Sequence, residues 1–143
     1  LHGRAEQASS QPTASDIAPS LRGIGPRTQR ITYNIKIRTR YPRGYDPASK
    51  SGYGRGTTEE DIKSGNVSTG FHEGQHGTRI LDYLETQPLP KLNPDGRPHT
   101  SDFTWRDAAE QWRTEMDKYN EDLEEHHVKA TDCVGHESTY ICK

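Results

Sequence analysis

Ser68-Thr69-Gly70-Phe71-His72-Glu73-Gly74-Gln75-His76-Gly77 places two histidines four residues apart, with a glutamate directly after the first. Ser68 or Thr69 supplies a hydroxyl that can cap a helix start. Ile80, Leu81 and Leu84 follow as apolar positions able to bury one side. Gln87-Pro88-Leu89-Pro90 then stops the helix, because a proline disfavours helical backbone in the residue before it. The pattern predicts a helix from 68 or 69 to about 85. On it the two imidazoles leave the same face one turn apart, where both can reach one ion at about 2.0–2.1 Å. Glu73 sits beside the first histidine. There it can take a proton from metal-bound water, whose pKa the ion lowers to about 7, without being a ligand. HExxH chemistry requires these residue types at this spacing.

Working outward, the clearest strand is 30–41. Ile31, Tyr33, Ile35, Ile37, Thr39 and Tyr41 alternate with Thr32, Asn34, Lys36, Arg38 and Arg40. Pro42 opens a long loop to Gly56. Thr57 or Thr58, followed by Glu59, Glu60 and Asp61, predicts a short helix ending near Lys63. The turn chemistry of Pro94-Asp95-Gly96 and Pro98 precedes a helix starting between Ser101 and Thr104. Trp105, Ala108, Ala109, Trp112, Met116, Tyr119, Leu123 and Ala130 recur along it mostly at spacings of three and four. They predict about 25 residues lying antiparallel to the HExxH helix. Residues 1–28, rich in Ser, Pro, Gly and Gln and without periodicity, read as a linker or leader ahead of one domain over 29–143.

The chain has 143 residues, enough for one modest core. Its hydrophobic fraction is 28% and its mean hydropathy is −1.11, so folding depends on the few periodic segments. No run of 18 apolar residues is present, which excludes a helical membrane span from the sequence. The start at Leu1, without a charged or apolar leader, suggests a processed product or an excised domain. Residues 1–56 carry 10 Lys/Arg against 3 Asp/Glu, and 57–143 carry 9 against 18, balances of +7 and −9. Packing of the basic half on the acidic half explains this better than a nucleic-acid arm, because the basic residues stand singly without aromatic interleaving. Cys133 and Cys142 lie nine positions apart in a Gly-containing segment. They are a disulfide candidate that would imply an oxidising compartment; two unrelated thiols are the alternative.

A catalytic zinc usually keeps three protein ligands and one open position. The third histidine of the extended motif is absent, since position 82 is Asp. Asp82 reads either as a carboxylate orienting a histidine or as a surface group. The HExxH helix runs about 15 Å beyond His76 at 1.5 Å per residue, so an antiparallel partner starting near Thr104 returns to its level around 114–120. Glu115 falls there and is the first candidate. His126, Asp132 and His136 are alternates, and His126-His127 also reads as a surface pair. Tyr119 or Tyr140 is a candidate donor to an oxyanion.

The segment Gly70–Gly77, then Glu115-Met116-Asp117-Lys118-Tyr119, then Thr131-Asp132-Cys133-Val134-Gly135, resembles a loosely defined group of bacterial secreted HExxH proteins catalogued as zinc proteases. It also resembles metallopeptidase modules found as C-terminal toxin domains of secretion-system effectors. The resemblance covers about residues 60–140, and HExxH is its specific motif. Several secreted members carry a His-Gly pair near the last element, where this chain has Val134-Gly135 and then His136. The resemblance implies a small zincin-like α+β domain with the HExxH helix packed on a long second helix beside a small sheet. It implies Zn2+ held by His72 and His76, with Glu73 as general base. It further implies a secreted or periplasmic location, a protein or cell-wall peptide substrate, and a cognate inhibitor or immunity protein. A peptidoglycan-directed amidase or endopeptidase and a non-catalytic zinc-stapled binding module are the competing readings.

Overall fold

The computed structural model describes residues 17–22 and 30–142. Strand β1 (Ile17–Arg22) pairs antiparallel with β2 (Arg30–Ile35), from Ile17 opposite Ile35 to Arg22 opposite Arg30. Three helices follow: α1 (Glu59–Lys63), α2 (Thr69–Thr86) and α3 (Trp105–Thr131). The described residues form a small α+β arrangement, as expected. Two differences concern the sheet. Residues 17–22, read from sequence as linker, form a strand, because pairing with β2 overrides a local composition that carries no strand signal; the rest of the 1–28 segment lies outside the described residues. The ladder also ends at Ile35 rather than near 41, although the alternation of exposure continues to Arg38.

Each helix begins where a side chain satisfies an orphan backbone donor. Thr58 accepts from Asp61 N, Ser68 from Phe71 N at 3.1 Å, and Thr104 forms a capping box with Asp107. α2 and α3 run antiparallel. His72 lies beside Asp132, His76 beside His127, Tyr83 beside Tyr119, and the Gln87 carbonyl accepts from the Tyr119 hydroxyl at 2.9 Å. Ile80, Met116 and Leu123 form the core, with Tyr33, Ile35 and Ile37 packed on them from β2 and its extension. Full burial of a side chain such as Ile80 or Leu123 contributes about 1.5–3 kcal/mol. The Tyr33 hydroxyl accepts from Trp112 Nε1 at 2.7 Å and donates to the Pro90 carbonyl, fastening the sheet to α3 and to the loop after α2. Leu81, expected on the buried side of α2, is exposed. The buried stripe of α3 is Ala108, Met116, Tyr119, Leu123, His127 and Thr131, so its last two turns are polar and Ala130 is not among the buried positions.

Candidate metal centre

The buried end of the α2–α3 pair is built from three segments far apart in sequence. α2 presents His72 and His76, with ring centroids 5.1 Å apart. Asp132, the C-cap of α3, donates its backbone N–H to the Val128 carbonyl at 2.7 Å and points its carboxylate between the two rings. Its Oδ1 lies 3.1 Å from His72 Nε2 and 3.2 Å from His76 Nε2. The third segment is the loop before α1. Gly54 N donates to the His136 carbonyl and Arg55 N to the Thr131 carbonyl, both at 2.7 Å. Arg55 is held by Asp61, whose carboxylate accepts from Arg55 Nε at 2.9 Å, Arg55 Nη2 at 2.7 Å and Gly56 N at 2.8 Å. Those donors hold Asp61 well below the usual carboxylate range: the Arg55 guanidinium lowers it most, burial opposes, and the Gly56 amide adds to the lowering. Gly54 sits at φ +63, and a Cβ there would lie 2.2 Å from the Thr131 carbonyl oxygen and 2.8 Å from His72 Cε1. Only glycine fits between the helices at that point.

The backbone of this loop orients His72. Its Nδ1 lies 3.0 Å from the Arg55 carbonyl oxygen, which can only accept, so Nδ1 carries the proton and Nε2 keeps its lone pair. Tyr53 packs edge-on against the same ring, with centroids 4.9 Å apart. His76 Nδ1 lies 3.0 Å from His127 Nδ1, in a ring pair tilted at 85°.

His72 Nε2 and Asp132 Oδ1 are both buried, yet neither finds a hydrogen-bond partner of acceptable direction despite their 3.1 Å separation. One oxygen and two imidazole nitrogens, each from a buried side chain and mutually within 4.8 Å, form a group that could hold a metal ion. Two imidazoles and a carboxylate suit a divalent transition metal and leave a coordination position open. Burial raises Asp132, but the contacts with His72 and His76 outweigh it and bring its pKa down to about 2, so the carboxylate is an anion. Burial lowers His72, but Asp132 and the Arg55 carbonyl outweigh it and its pKa is raised. His127 is held down to about 4 by burial and then by His76, against an opposing Asp132.

Of the residues singled out from sequence, His72, His76 and Asp132 are brought together. Glu73, 2% exposed, lies in the same turn of α2, and its charge contributes to the raised pKa of Tyr41 after burial. Glu115 is not at the site. It accepts from Gln111 Nε2 at 3.1 Å, in the α3 turn that contains Met116, about 18 Å of helix away from His127. A position opposite His76 requires α3 to start level with the end of α2. In the structure Tyr119, not the first residue of α3, meets Gln87, so α3 overhangs α2 by about 21 Å. His126 is exposed, its ring 5.2 Å from Tyr83. His136 is exposed and contributes its backbone, accepting from Gly54 N and donating to Thr57 Oγ1 at 2.8 Å. Asp82 pairs with Arg79 at 3.0 Å on the surface. Tyr119 is buried against Tyr83, and Tyr140 is 86% exposed. Cys133 and Cys142 form a disulfide directly after Asp132.

Two contributors were not found by sequence reasoning. His127, read as half of a surface pair, is 2% exposed. Its spacing of four from both Leu123 and Thr131 puts it on the buried stripe, and that signal was in the sequence. The Arg55 carbonyl acts through the backbone, which no residue pattern announces. Among the described residues no helix is long and apolar enough to cross a membrane. No protein-family model, no curated protein and no solved structure matches the chain.

Proposed function

We propose that this chain is a zinc-dependent peptidase domain of zincin-like design, acting outside the cytoplasm as a secreted effector or toxin. The observation that carries the reading is the convergence of His72 Nε2, His76 Nε2 and Asp132 Oδ1 beside Glu73 in one buried cluster. A bound zinc ion supplies Lewis acidity, which acidifies a water and polarises a carbonyl. The chain's own residues do the rest. His72 and His76 would hold the ion through Nε2, and Asp132 would add the negative charge that favours a divalent cation at a buried point. Glu73 takes the proton of the attacking water and returns it to the leaving amine. The Arg55 carbonyl keeps His72 in the ligating tautomer. The Cys133–Cys142 disulfide supports an oxidising compartment, where such bonds persist.

The test is a Glu73→Gln variant assayed beside the parent on casein and on isolated cell-wall sacculi. The variant is expected to bind one zinc by elemental analysis and to lose hydrolysis by about 10²–10⁴-fold. Activity confined to sacculi would move the substrate to peptidoglycan stem peptides. Full activity in a variant that retains zinc would refute the role of Glu73.

A further inference from the structure

We infer that His127 is a positioning residue: its Nδ1 accepts the hydrogen bond that commits His76 to the tautomer able to bind a cation through Nε2. This rests on the metal-binding reading above and adds a determinant of affinity that is not itself a ligand.

The argument begins from an asymmetry between the two α2 histidines. His72 Nδ1 faces a carbonyl, which accepts and never donates, so its Nε2 lone pair is fixed by the backbone. His76 Nδ1 faces another imidazole nitrogen at 3.0 Å, and an imidazole can play either part. Two arrangements satisfy that contact. In one, His127 donates from Nδ1 to His76, whose proton then sits on Nε2 and points at Asp132 Oδ1, 3.2 Å away. That proton occupies the position a cation needs. In the other, His76 donates from Nδ1, its Nε2 lone pair faces the cluster, and His127 carries its own proton on Nε2, a buried atom with no hydrogen-bond partner among the described residues. It is therefore cation binding that selects this arrangement and His127 that supplies the acceptor for it. A cation at the cluster is compatible only with the second.

His127 is placed for this by the fold. It lies on the stripe of α3 between Leu123 and Thr131, all three 2% exposed or less. Its ring stands at 85° to that of His76, and the two Nδ1 atoms meet at hydrogen-bond distance, 3.0 Å apart. Burial of both rings removes water as a competing acceptor for His76 Nδ1–H. Without His127 that donor would be left buried and unpaired, which disfavours the ligating tautomer.

The experiment uses the full chain and zinc alone as probe, with affinity read by competition against a chromophoric chelator. His127→Phe keeps a planar ring without an acceptor, and His127→Asn restores an acceptor close to the Nδ1 position. The phenylalanine variant is expected to bind zinc about 10–100-fold more weakly than the parent, and the asparagine variant to recover most of that loss. Equal affinity in parent and phenylalanine variant overturns the inference. Equal loss in both variants also overturns it, since it would assign His127 a packing role only. A parent that binds no zinc would instead sink the metal reading beneath it. Nitrogen-15 NMR of the zinc-loaded parent tests the same point without a substitution. Nδ1 of His127 is expected to show the shift of an unprotonated ring nitrogen and Nε2 that of a protonated one; the reverse assignment overturns the inference.

Discussion

Replacing Asp61 by Asn tests whether the loop before α1 supports the cluster from a distance. Asp61 touches none of the three candidate ligands, yet it fixes Arg55 by two hydrogen bonds and Gly56 N by a third, and it is 1% exposed. The amide keeps the shape but removes the charge, and its NH2 faces the guanidinium, donor against donor. Removing one partner of a buried ion pair costs about 3–5 kcal/mol. The Arg55 side chain is 20% exposed and can recover some hydration, so the lower end, about 3 kcal/mol, is expected. For a domain of this size that lowers Tm by roughly 10 °C.

The same substitution loosens the Arg55 carbonyl that orients His72, so zinc affinity is expected to fall by about 10-fold or more with every ligand intact. Urea denaturation in the presence of chelator reads the first effect, and chelator competition reads the second. The pH dependence has a definite sign. The folded-state pKa of Asp61 is depressed, so its contribution is fully present above the unfolded carboxylate value of about 3.9 and is lost as pH falls through the folded value. The stability gap between parent and variant is therefore expected to be constant from neutral pH down to about pH 5 and to narrow below about pH 4. A variant within about 0.5 kcal/mol of the parent at pH 7, or a gap that widens on acidification, would refute the reasoning.

Asp132→Ala is expected to reduce bound zinc to below a tenth of the parent's on elemental analysis after gel filtration, while Glu115→Ala leaves it unchanged; the opposite pattern would restore Glu115 as ligand. Replacing Cys133 and Cys142 together by Ser removes a nine-residue loop closure worth roughly 2.5 kcal/mol of stability. Because the bridge begins one residue after Asp132, zinc affinity measured under native conditions should fall as well; a pure stability loss would show that the bridge does not brace the carboxylate. Gly54→Ala puts a Cβ into His72 Cε1 and the Thr131 carbonyl at φ +63, and is expected to cost more than about 2 kcal/mol and to weaken zinc binding. Thermal melts and zinc titration check both, and a variant as stable as the parent would show that the loop can shift aside.

The elements legible in the sequence were those whose signals are local. Thr57 or Thr58, Ser68 or Thr69 and a start between Ser101 and Thr104 bracket the caps the structure uses, Thr58, Ser68 and Thr104, and Pro88 stands just past the end of α2. The two HExxH imidazoles needed only the rise and turn of one helix to be placed on one face. β1 was invisible because six residues containing a proline gain strand structure only from the partner they pair with. His127 was misread for a different reason. A histidine pair on a charged helix looks like surface, and only the four-residue spacing to Leu123 and Thr131 sends one ring inward and leaves the other out.

The third candidate ligand turned on a quantity that no single helix carries, the offset between α2 and α3. Each helix was sized correctly to within a few residues, and the direction of the pair was right. The offset is set by what joins them: seventeen residues from 88 to 104, whose Pro90 carbonyl is tied to Tyr33, itself bonded to Trp112. That tie holds the middle of α3, not its start, against the end of α2, and slides the register by about four turns. The slide carries Glu115 away and brings the helix C-cap, Asp132, to His72 and His76. A carboxylate at that position has a further consequence. Its backbone belongs at once to the last turn of α3, to the disulfide loop and, through Thr131, to the loop that carries Arg55, so three restraints fix the backbone from which the carboxylate projects. A buried anion between two imidazoles needs that much restraint, because without it the cheaper arrangement is to turn the carboxylate out to water.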